Sequence, residues 1–188
     1  TGTVTAEISS SSVDTLKTLT GTNAYTITIA SGDATGSTAA EFNTINGATT
    51  VAVDASAVTG LASDTAANIK TLLTAGNDTA QFTGASFESL ATAVVSDTTL
   101  SGSELADAID QANTATGGTG TVFTITDASE ITGSEANFTD LLTDEGNSQI
   151  AITGQNLTVN TGEVSVSTAR SLSGTTTGTV TGTITSGT

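Results

Sequence analysis

The sequence is set apart first by the residue types that it lacks. Its 188 residues include no proline, cysteine, methionine, tryptophan or histidine, and aromatic residues make up 3%. Without histidine or cysteine the chain cannot form a serine–histidine–aspartate triad, a thiol nucleophile or the usual ligand sets for zinc, copper and haem. Without cysteine it also cannot form disulfides. We therefore predict that the chain is not an enzyme and that it has no cofactor, with calcium as the one ion left to consider.

Positive charge is nearly absent as well. Lys17, Lys70 and Arg170 are the only cations among 19 acidic residues, and the net charge is −16. Such a balance repels phosphate backbones and anionic bilayers, which argues against nucleic-acid binding. No apolar run approaches the roughly 18 residues of a membrane span, so we expect no membrane insertion. High acidity suits a salty or divalent-rich exterior, because screening there shortens the self-repulsion.

Threonine is the residue type that the chain has in excess. It occupies 44 of the 188 positions, far above average usage. The mean hydropathy is nevertheless positive, and the apolar residues recur at regular spacing. These two properties favour an ordered fold over disorder.

One short phrase recurs along the chain, which is the mark of a repeat protein. Its copies occupy residues 30–36, 54–60, 96–102 and 127–133. An alternating run of β-branched residues, typical of a strand, precedes three of the copies at residues 25–29, 50–53 and 122–126. Each unit therefore begins with a predicted strand and a turn.

A sequence pattern typical of the start of a helix follows each copy of the repeated phrase. Thr38 lies three residues before Glu41 in a capping-box pattern, and Gly47 follows as a helix end. Similar signatures begin at Ser12, Ser63, Ser103 and Ser134. Strands and short helices that alternate in units of roughly 24 to 31 residues require parallel strands.

These patterns predict an α/β repeat. We expect an irregular solenoid of strands and short helices with parallel strands over residues 1–148. A mainly β segment, continuous with the same body, is expected over residues 149–188, where runs at 150–152, 157–159, 164–166 and 180–184 favour strands. The alternative fold is an all-β, threonine-rich sandwich or solenoid.

The two ends of the chain carry nearly the same phrase, GTVTAEI at residues 2–8 and GTVTGTI at residues 178–184. Each coil of a solenoid buries its face only against a neighbour, so we expect a piece of a longer array. The chain resembles the repetitive regions of very large secreted surface proteins of cyanobacteria and other marine bacteria, where Thr-Val-Thr strands alternate with stretches like residues 63–69. The resemblance implies a structural part of a filament, coat layer or giant adhesin at the bacterial cell surface. Its implied partners are neighbouring copies or repeats.

Four aspartates lie near the strand-to-helix turns. They are Asp33, Asp54, Asp97 and Asp127. Carboxylate oxygens at such turns can bind calcium, but they can equally accept the N–H groups of turns and helix caps. The chain has neither an EF-hand loop nor a nonapeptide calcium repeat, which favours caps and leaves calcium as a weak candidate ligand.

Two further arrangements have a functional and a simpler interpretation. Glu104, Asp107 and Asp110 share one predicted helix, which is typical of a solvated face and not of a glycosidase pair. Thr-Xaa-Thr pairs such as Thr26 and Thr28 can match ice on a flat face, although outward threonine on a strand needs only water. The alternative function is therefore an extracellular solenoid that binds ice, a surface glycan or calcium.

Overall fold

The computed structural model describes residues 4–31, 36–84, 87, 90–116 and 120–185. Within these ranges the chain forms ten strands and six helices. The strands are β1 (Thr5–Ser11), β2 (Ala24–Ile29), β3 (Val53–Asp54), β4 (Phe82–Thr83), β5 (Thr92–Val95), β6 (Leu100–Ser101), β7 (Val122–Ile125), β8 (Glu130–Ser134), β9 (Asn156–Thr161) and β10 (Val180–Thr181). The helices are α1 (Val13–Leu16), α2 (Ala39–Gly47), α3 (Ala66–Gly76), α4 (Gly102–Thr116), α5 (Glu135–Gly146) and α6 (Val166–Thr175).

The paired strands of the described chain are all parallel. Two four-stranded sheets have the orders β1-β2-β3-β4 and β6-β8-β9-β10, and β5 pairs with β7. In each sheet the spatial order follows the chain order. The prediction of a mixed α/β chain with parallel strands is therefore confirmed, and the all-β alternative is wrong because helices connect the neighbouring strands within the two larger sheets.

Each helix contacts the next helix along the chain, from α1 to α6. Their starts are set locally, because a hydroxyl of the N-cap residue accepts the N–H of the residue three positions later. The N-cap residues seen in this role are Ser12, Thr38, Thr65, Ser134 and Ser165. The capping box of Thr38 and Glu41 is present as predicted. The cap of α3 is Thr65, two residues beyond the predicted Ser63.

The core consists of side chains that stack from strand to strand. Leu100 pairs with Ile131, and Ile131 pairs with Leu157, which in turn pairs with Val180. The first three of these side chains are fully buried. The buried apolar residues form one cluster that reaches from Val13 to Leu172.

Phe87 packs against two other phenylalanines inside this cluster. Its ring centroid lies 5.3 Å from that of Phe42 and 5.0 Å from that of Phe82, both in edge-to-face geometry. Offset and edge-to-face arrangements are the favourable ones for aromatic pairs. Three of the five phenylalanines thus pack α2, β4 and residue 87 together.

Two strand predictions are wrong in part. Residues 50–53 were expected to form a strand, but β3 contains only Val53 and Asp54, and Val51 is 37% exposed. The expected mainly β segment over 149–188 contains a helix of ten residues, α6. The run at 164–166 does not continue as a strand because Ser165 caps this helix, while Val164 makes a single bridge to Ile184.

Candidate functional site

The aspartates at the turns bond to the chain itself where the structure describes their contacts. Asp54 Oδ1 accepts the Ser56 N–H at 3.0 Å, and the hydrogen bonds from the Ser56 side chain and N–H lower the pKa of Asp54. Asp97 Oδ2 accepts the Ala66 N–H at 2.7 Å. Asp127 is exposed in the bend after β7, and Asp33 lies outside the described residues. The contacts of Asp54 and Asp97 are those of the turn-and-cap interpretation.

Calcium stays a prediction. Among the residues that the structure describes, no group of three or more acidic side chains is arranged to hold a metal ion. Asp97 and Asp127 each follow, by two residues, the paired residues Val95 and Ile125. These two aspartates therefore follow two strands that pair with each other, β5 and β7.

Two acidic side chains each cap the helix that precedes them in the chain, a role that the sequence did not reveal. Asp64, which precedes α3, accepts the Ala40 N–H of α2 at 2.7 Å. Asp97 has the same relation to Ala66 of α3, from 31 residues further along the chain. A carboxylate at a helix N-terminus satisfies a free N–H and interacts favourably with the helix dipole. An acid before each helix was visible in the sequence, but the helix that it serves was not.

The three cations occupy one equivalent position in three helices. Lys17, Lys70 and Arg170 each lie five residues after the N-cap, namely Ser12, Thr65 and Ser165. This regularity was readable in the sequence once the caps were known.

Five residues after the N-caps of α1, α2 and α3, the side chain bonds to the next helix. Lys17 Nζ of the first unit lies 2.6 Å from Glu41 Oε1 of α2. Lys70 Nζ of α3 lies 2.6 Å from Asp107 Oδ2 of α4. In α2 the same position holds Asn43, whose Nδ2 donates to the Asn68 carbonyl of α3 at 3.0 Å. Three successive contacts thus run in one direction, from each helix to the one that follows it.

Lys17 is held by two carboxylates. Besides Glu41 it contacts Asp14 Oδ1 of its own helix at 2.5 Å. Hydrogen bonds to Asp14 and Glu41 raise the pKa of Lys17, and the bond from Lys17 lowers the pKa of Glu41. The contact therefore favours the charged form of both partners.

Two residues of the predicted acidic face of α4, Asp107 and Asp110, have different surroundings. Asp107 is bound by Lys70 of the preceding helix and is not merely solvated. Partial burial, with the charges of Asp140 on the following helix and of Asp107, raises the pKa of Asp110. Asp144 of α5 is 7% exposed, and burial, with the charges of Asp110 and Asp140, raises its pKa to about 6. Like charges thus meet where α4 and α5 pack.

An open groove of about 420 Å³ lies along α2 and α3. Its lining residues are Asn43, Asn46, Gly47, Lys70, Thr71, Thr74, Ala75 and Gln81. Its hydroxyls are not activated, because Thr71 and Thr74 donate to the carbonyls of Ala67 and Lys70 within the helix. Asn46 Nδ2 donates to Gln81 Oε1 at 2.9 Å. The groove can exchange hydrogen bonds with a solute, but the contacts of its lining residues include no nucleophile paired with a base.

The threonine pairs differ between the two large sheets. In the first sheet Thr26 lies beside Glu7, and Thr28 lies beside Asp54. In the second sheet one row contains Thr132, Thr158 and Thr181. Thr158 Oγ1 in this row donates to Glu130 Oε1 at 2.6 Å. Regular threonine neighbours are therefore present in this row, whereas acids lie beside Thr26 and Thr28 in the first sheet.

The mixed α/β fold with parallel strands in chain order defines the structural class of the protein. Comparison with known protein families, with curated proteins and with solved structures gives no match for the chain. In the described part of the chain, no helix combines the length and apolar character needed to cross a membrane. The contacts between successive helices are thus the features of the structure that bear most directly on function.

Proposed function

We propose that the chain is a non-catalytic structural segment of an extracellular bacterial surface protein, such as a filament, a coat layer or a giant adhesin. In this proposal the strand–helix units stack as an irregular solenoid. The segment acts as an extended body in which each unit packs against the next one.

The observation that carries the proposal is the recurrence of the same contacts between successive units. Carboxylates of one unit cap the helix of the preceding unit at Ala40 and at Ala66. The fifth residue after the N-cap contacts the following helix from Lys17, Asn43 and Lys70. A stack built in this way depends on nearest-neighbour interfaces, which is the energetic pattern of repeat proteins.

The composition supports the extracellular part of the proposal. A net charge of −16 keeps the sides of neighbouring bodies apart and keeps them soluble. The absence of cysteine and methionine leaves few side chains that oxidise. These are useful properties for a long-lived structure outside the cell.

Immuno-electron microscopy tests the location. Antibodies raised against the purified chain are applied to intact and to permeabilised cells of the source organism, with an antibody to a cytoplasmic protein as the control. We expect gold label on the surface of intact cells, where the control antibody gives none. Label that appears only after permeabilisation would contradict the proposal.

A further inference from the structure

We propose that the contact between α4 and α5 is a proton-dependent joint, which is held closed at mildly acidic pH and opens more often at neutral pH. The α4–α5 joint is defined by Asp110 and Asn113 of α4, by Asp140 and Asp144 of α5, and by Gln149 just after α5. The inference goes beyond the proposed function, because it names a place inside the body whose packing responds to the surroundings.

Hydrogen bonds fix the position of α4 against the end of α5. The side-chain amides of Asn113 and Gln149 bond to each other in both directions. The Gln149 N–H in turn donates to the Asp144 carbonyl at 2.9 Å. Asp110 lies three residues before Asn113, and helix residues three apart are neighbours on one face. Asp110 therefore lies at the contact with α5, one turn from the bond that joins α4 to the Asp144 segment.

Asp144 is the buried acid of the joint. It is 7% exposed, and among the described residues none donates a hydrogen bond or an ion pair to its carboxylate. An ionised carboxylate without such partners is costly to bury, and the usual outcome is that it takes up a proton. Closing the joint therefore favours the protonated form of Asp144.

The neighbouring side chains on the two helices add negative charge. Asp140 lies one turn before Asp144 on α5, and Asp110 lies on α4. Burial first, and then the charges of Asp110 and Asp140, raise the pKa of Asp144 to about 6. The next acid of α4 toward its N-terminus, Asp107, is already bound by Lys70 of α3. The cation nearest to the joint in the helix order is thus engaged elsewhere.

The other elements packed against α5 do not supply a counter-charge. These elements are α6 and β8. Arg170 of α6 makes no ion pair with Asp144, and β8 contributes the acid Glu130. The two glutamates of α5, Glu135 and Glu145, accept backbone N–H groups of later residues. Among the described groups a proton is therefore the positive charge that the joint can take up.

The contacts of α2 do not share this property. Lys17 pairs with Glu41 of α2, and the hydrogen bonds from Lys17 and from Thr38 lower the pKa of Glu41. Asn43 of α2 donates to the Asn68 carbonyl, and neither group titrates. A carboxyl with a lowered pKa stabilises the fold above its unfolded pKa of about 4 and loses this effect only as the pH falls through the lowered value. The α2 contacts therefore stay unchanged between about pH 5 and 7.5.

The α4–α5 joint responds within that range. A carboxyl whose pKa is raised by packing stabilises the closed form fully below its unfolded pKa of about 4. This contribution is lost as the pH rises through about 6. With these two values, opening of the joint should increase about tenfold between about pH 5 and 7.5.

Amide hydrogen exchange of the full chain, read by mass spectrometry and corrected for the intrinsic effect of pH, tests the inference. We expect the protection of the α5 amides to fall about tenfold between about pH 5 and 7.5. At the higher pH, low concentrations of urea should change the exchange of α5 less than that of α2, because a local opening exposes little surface. Equal dependence on urea in the two helices would show that the whole body opens, and it would overturn the inference.

Asp144→Asn keeps the shape of the side chain and removes its titration. In this variant the protection of α5 should stay within about twofold between the two pH values, because no ionisation opposes closing. Asp110→Asn removes the charge on α4 and should make the fall smaller than in the wild type. Asp127→Asn is the control, since it makes the same change at an exposed position after β7, and it should keep the full fall. A wild-type chain without the fall, or an Asp144→Asn variant that retains it, would overturn the inference.

A calcium arm separates the proton from a divalent cation. Exchange at the higher pH is repeated with about 5 mM calcium, which exceeds the dissociation constants of weak extracellular sites, and with a chelator. We expect the same protection of α5 in both solutions. Protection that calcium restores to its value at the lower pH would overturn the assignment to a proton. Circular dichroism at the lower pH should show that all variants are folded.

Discussion

Helices α3 and α6 begin in the same way but end up in different surroundings. Each has an N-cap residue with a hydroxyl group. Counted from that N-cap, an apolar residue lies four positions later, a cation five positions later and a leucine seven positions later. In α3 six of eleven residues are buried, whereas in α6 only Leu172 is buried. The sequence pattern of a helix therefore does not by itself determine how many of its residues are buried. That number depends on whether a further unit covers the helix.

The strands show the same difference. In β2 the side chains of Ile27 and Ile29 are almost completely buried between neighbouring units. In β10 the side chain of Val180 is only partly buried, although its sequence alternates in the same way. In the described chain β2 has a paired strand on each side and β10 on one side only, so a given substitution should have unequal effects in the two places.

The largest expected effect is the loss of an interior aromatic side chain. Phe138 of α5 is completely buried, so Phe138→Ala should destabilise the fold by about 3 to 5 kcal/mol. Val166→Ala removes an apolar side chain that is 64% exposed on α6 and should change stability by less than about 0.5 kcal/mol. Urea denaturation followed by circular dichroism measures both, and similar costs would contradict the distinction between interior and terminal units.

Two glycines with positive φ offer a matched pair of backbone positions. Gly84 has φ +71°, and an added Cβ would lie 2.5 Å from Ser56 Cβ, whereas Gly162 has φ +77° and open space around it. Gly162→Ala should cost about 1 to 2 kcal/mol for the left-handed backbone alone. Gly84→Ala should cost about 2 to 4 kcal/mol, because the Ser56 segment must also move. Equal midpoints of denaturation for the two variants would show that the packing at Gly84 has no effect.

The contact between α4 and α5 should make an interior position sensitive to pH. Burial first, and then the charges of Asp110 and Asp140, raise the pKa of Asp144 to about 6. A carboxyl with a raised pKa in the folded state stabilises the fold fully below about pH 4 and loses that contribution as pH rises through about 6. Asp144→Asn should therefore be more stable than the wild type by about 2 to 3 kcal/mol at pH 7 and nearly equal to it at pH 4. Urea denaturation at the two pH values tests this, and a difference that does not change with pH would contradict it.

The smallest expected effect concerns the helix caps. Thr38→Ala removes the cap of the interior helix α2 and should lower global stability by about 1 kcal/mol. Ser165→Ala removes the cap of α6, which has few buried residues, so we expect faster amide hydrogen exchange in α6 with little change in the global midpoint. Exchange of the α6 amides at the wild-type rate in the Ser165 variant would argue against a loosely held terminal unit.

Features that depend on residues close together in the chain were predictable from the sequence. The capping box of Thr38 and Glu41 spans four residues, and β2 and β7 follow from alternation over short runs. The burial of Phe42 and Phe138 follows from helical spacing. Such features were readable because the atoms that form them are neighbours in the sequence.

The candidate site was predictable only in part. Aspartates at the turns were identified, and those with described contacts, Asp54 and Asp97, accept backbone N–H groups there. The hydrogen bond from the Ala40 N–H to Asp64, and the pairing of Lys70 with Asp107, were not visible. These contacts join residues 24 and 37 positions apart, and nothing local distinguishes one acidic residue from another as the partner.

Residues 164–168 show where local signals conflict. The alternation of Val164, Ser165 and Val166 favours a strand, whereas Ser165 followed by Thr168 favours a helix N-terminus. The structure takes the helix because this conformation buries Leu172 against the core and satisfies the Ser165 N–H with Glu135 of the preceding unit at 3.0 Å. The sequence by itself determined the strand and helix signals, the capping box of Thr38 and Glu41, and an acidic composition without histidine or cysteine. Only the tertiary structure decided between competing signals and chose the partners of the charged residues, because both depend on contacts between residues that are far apart in the sequence.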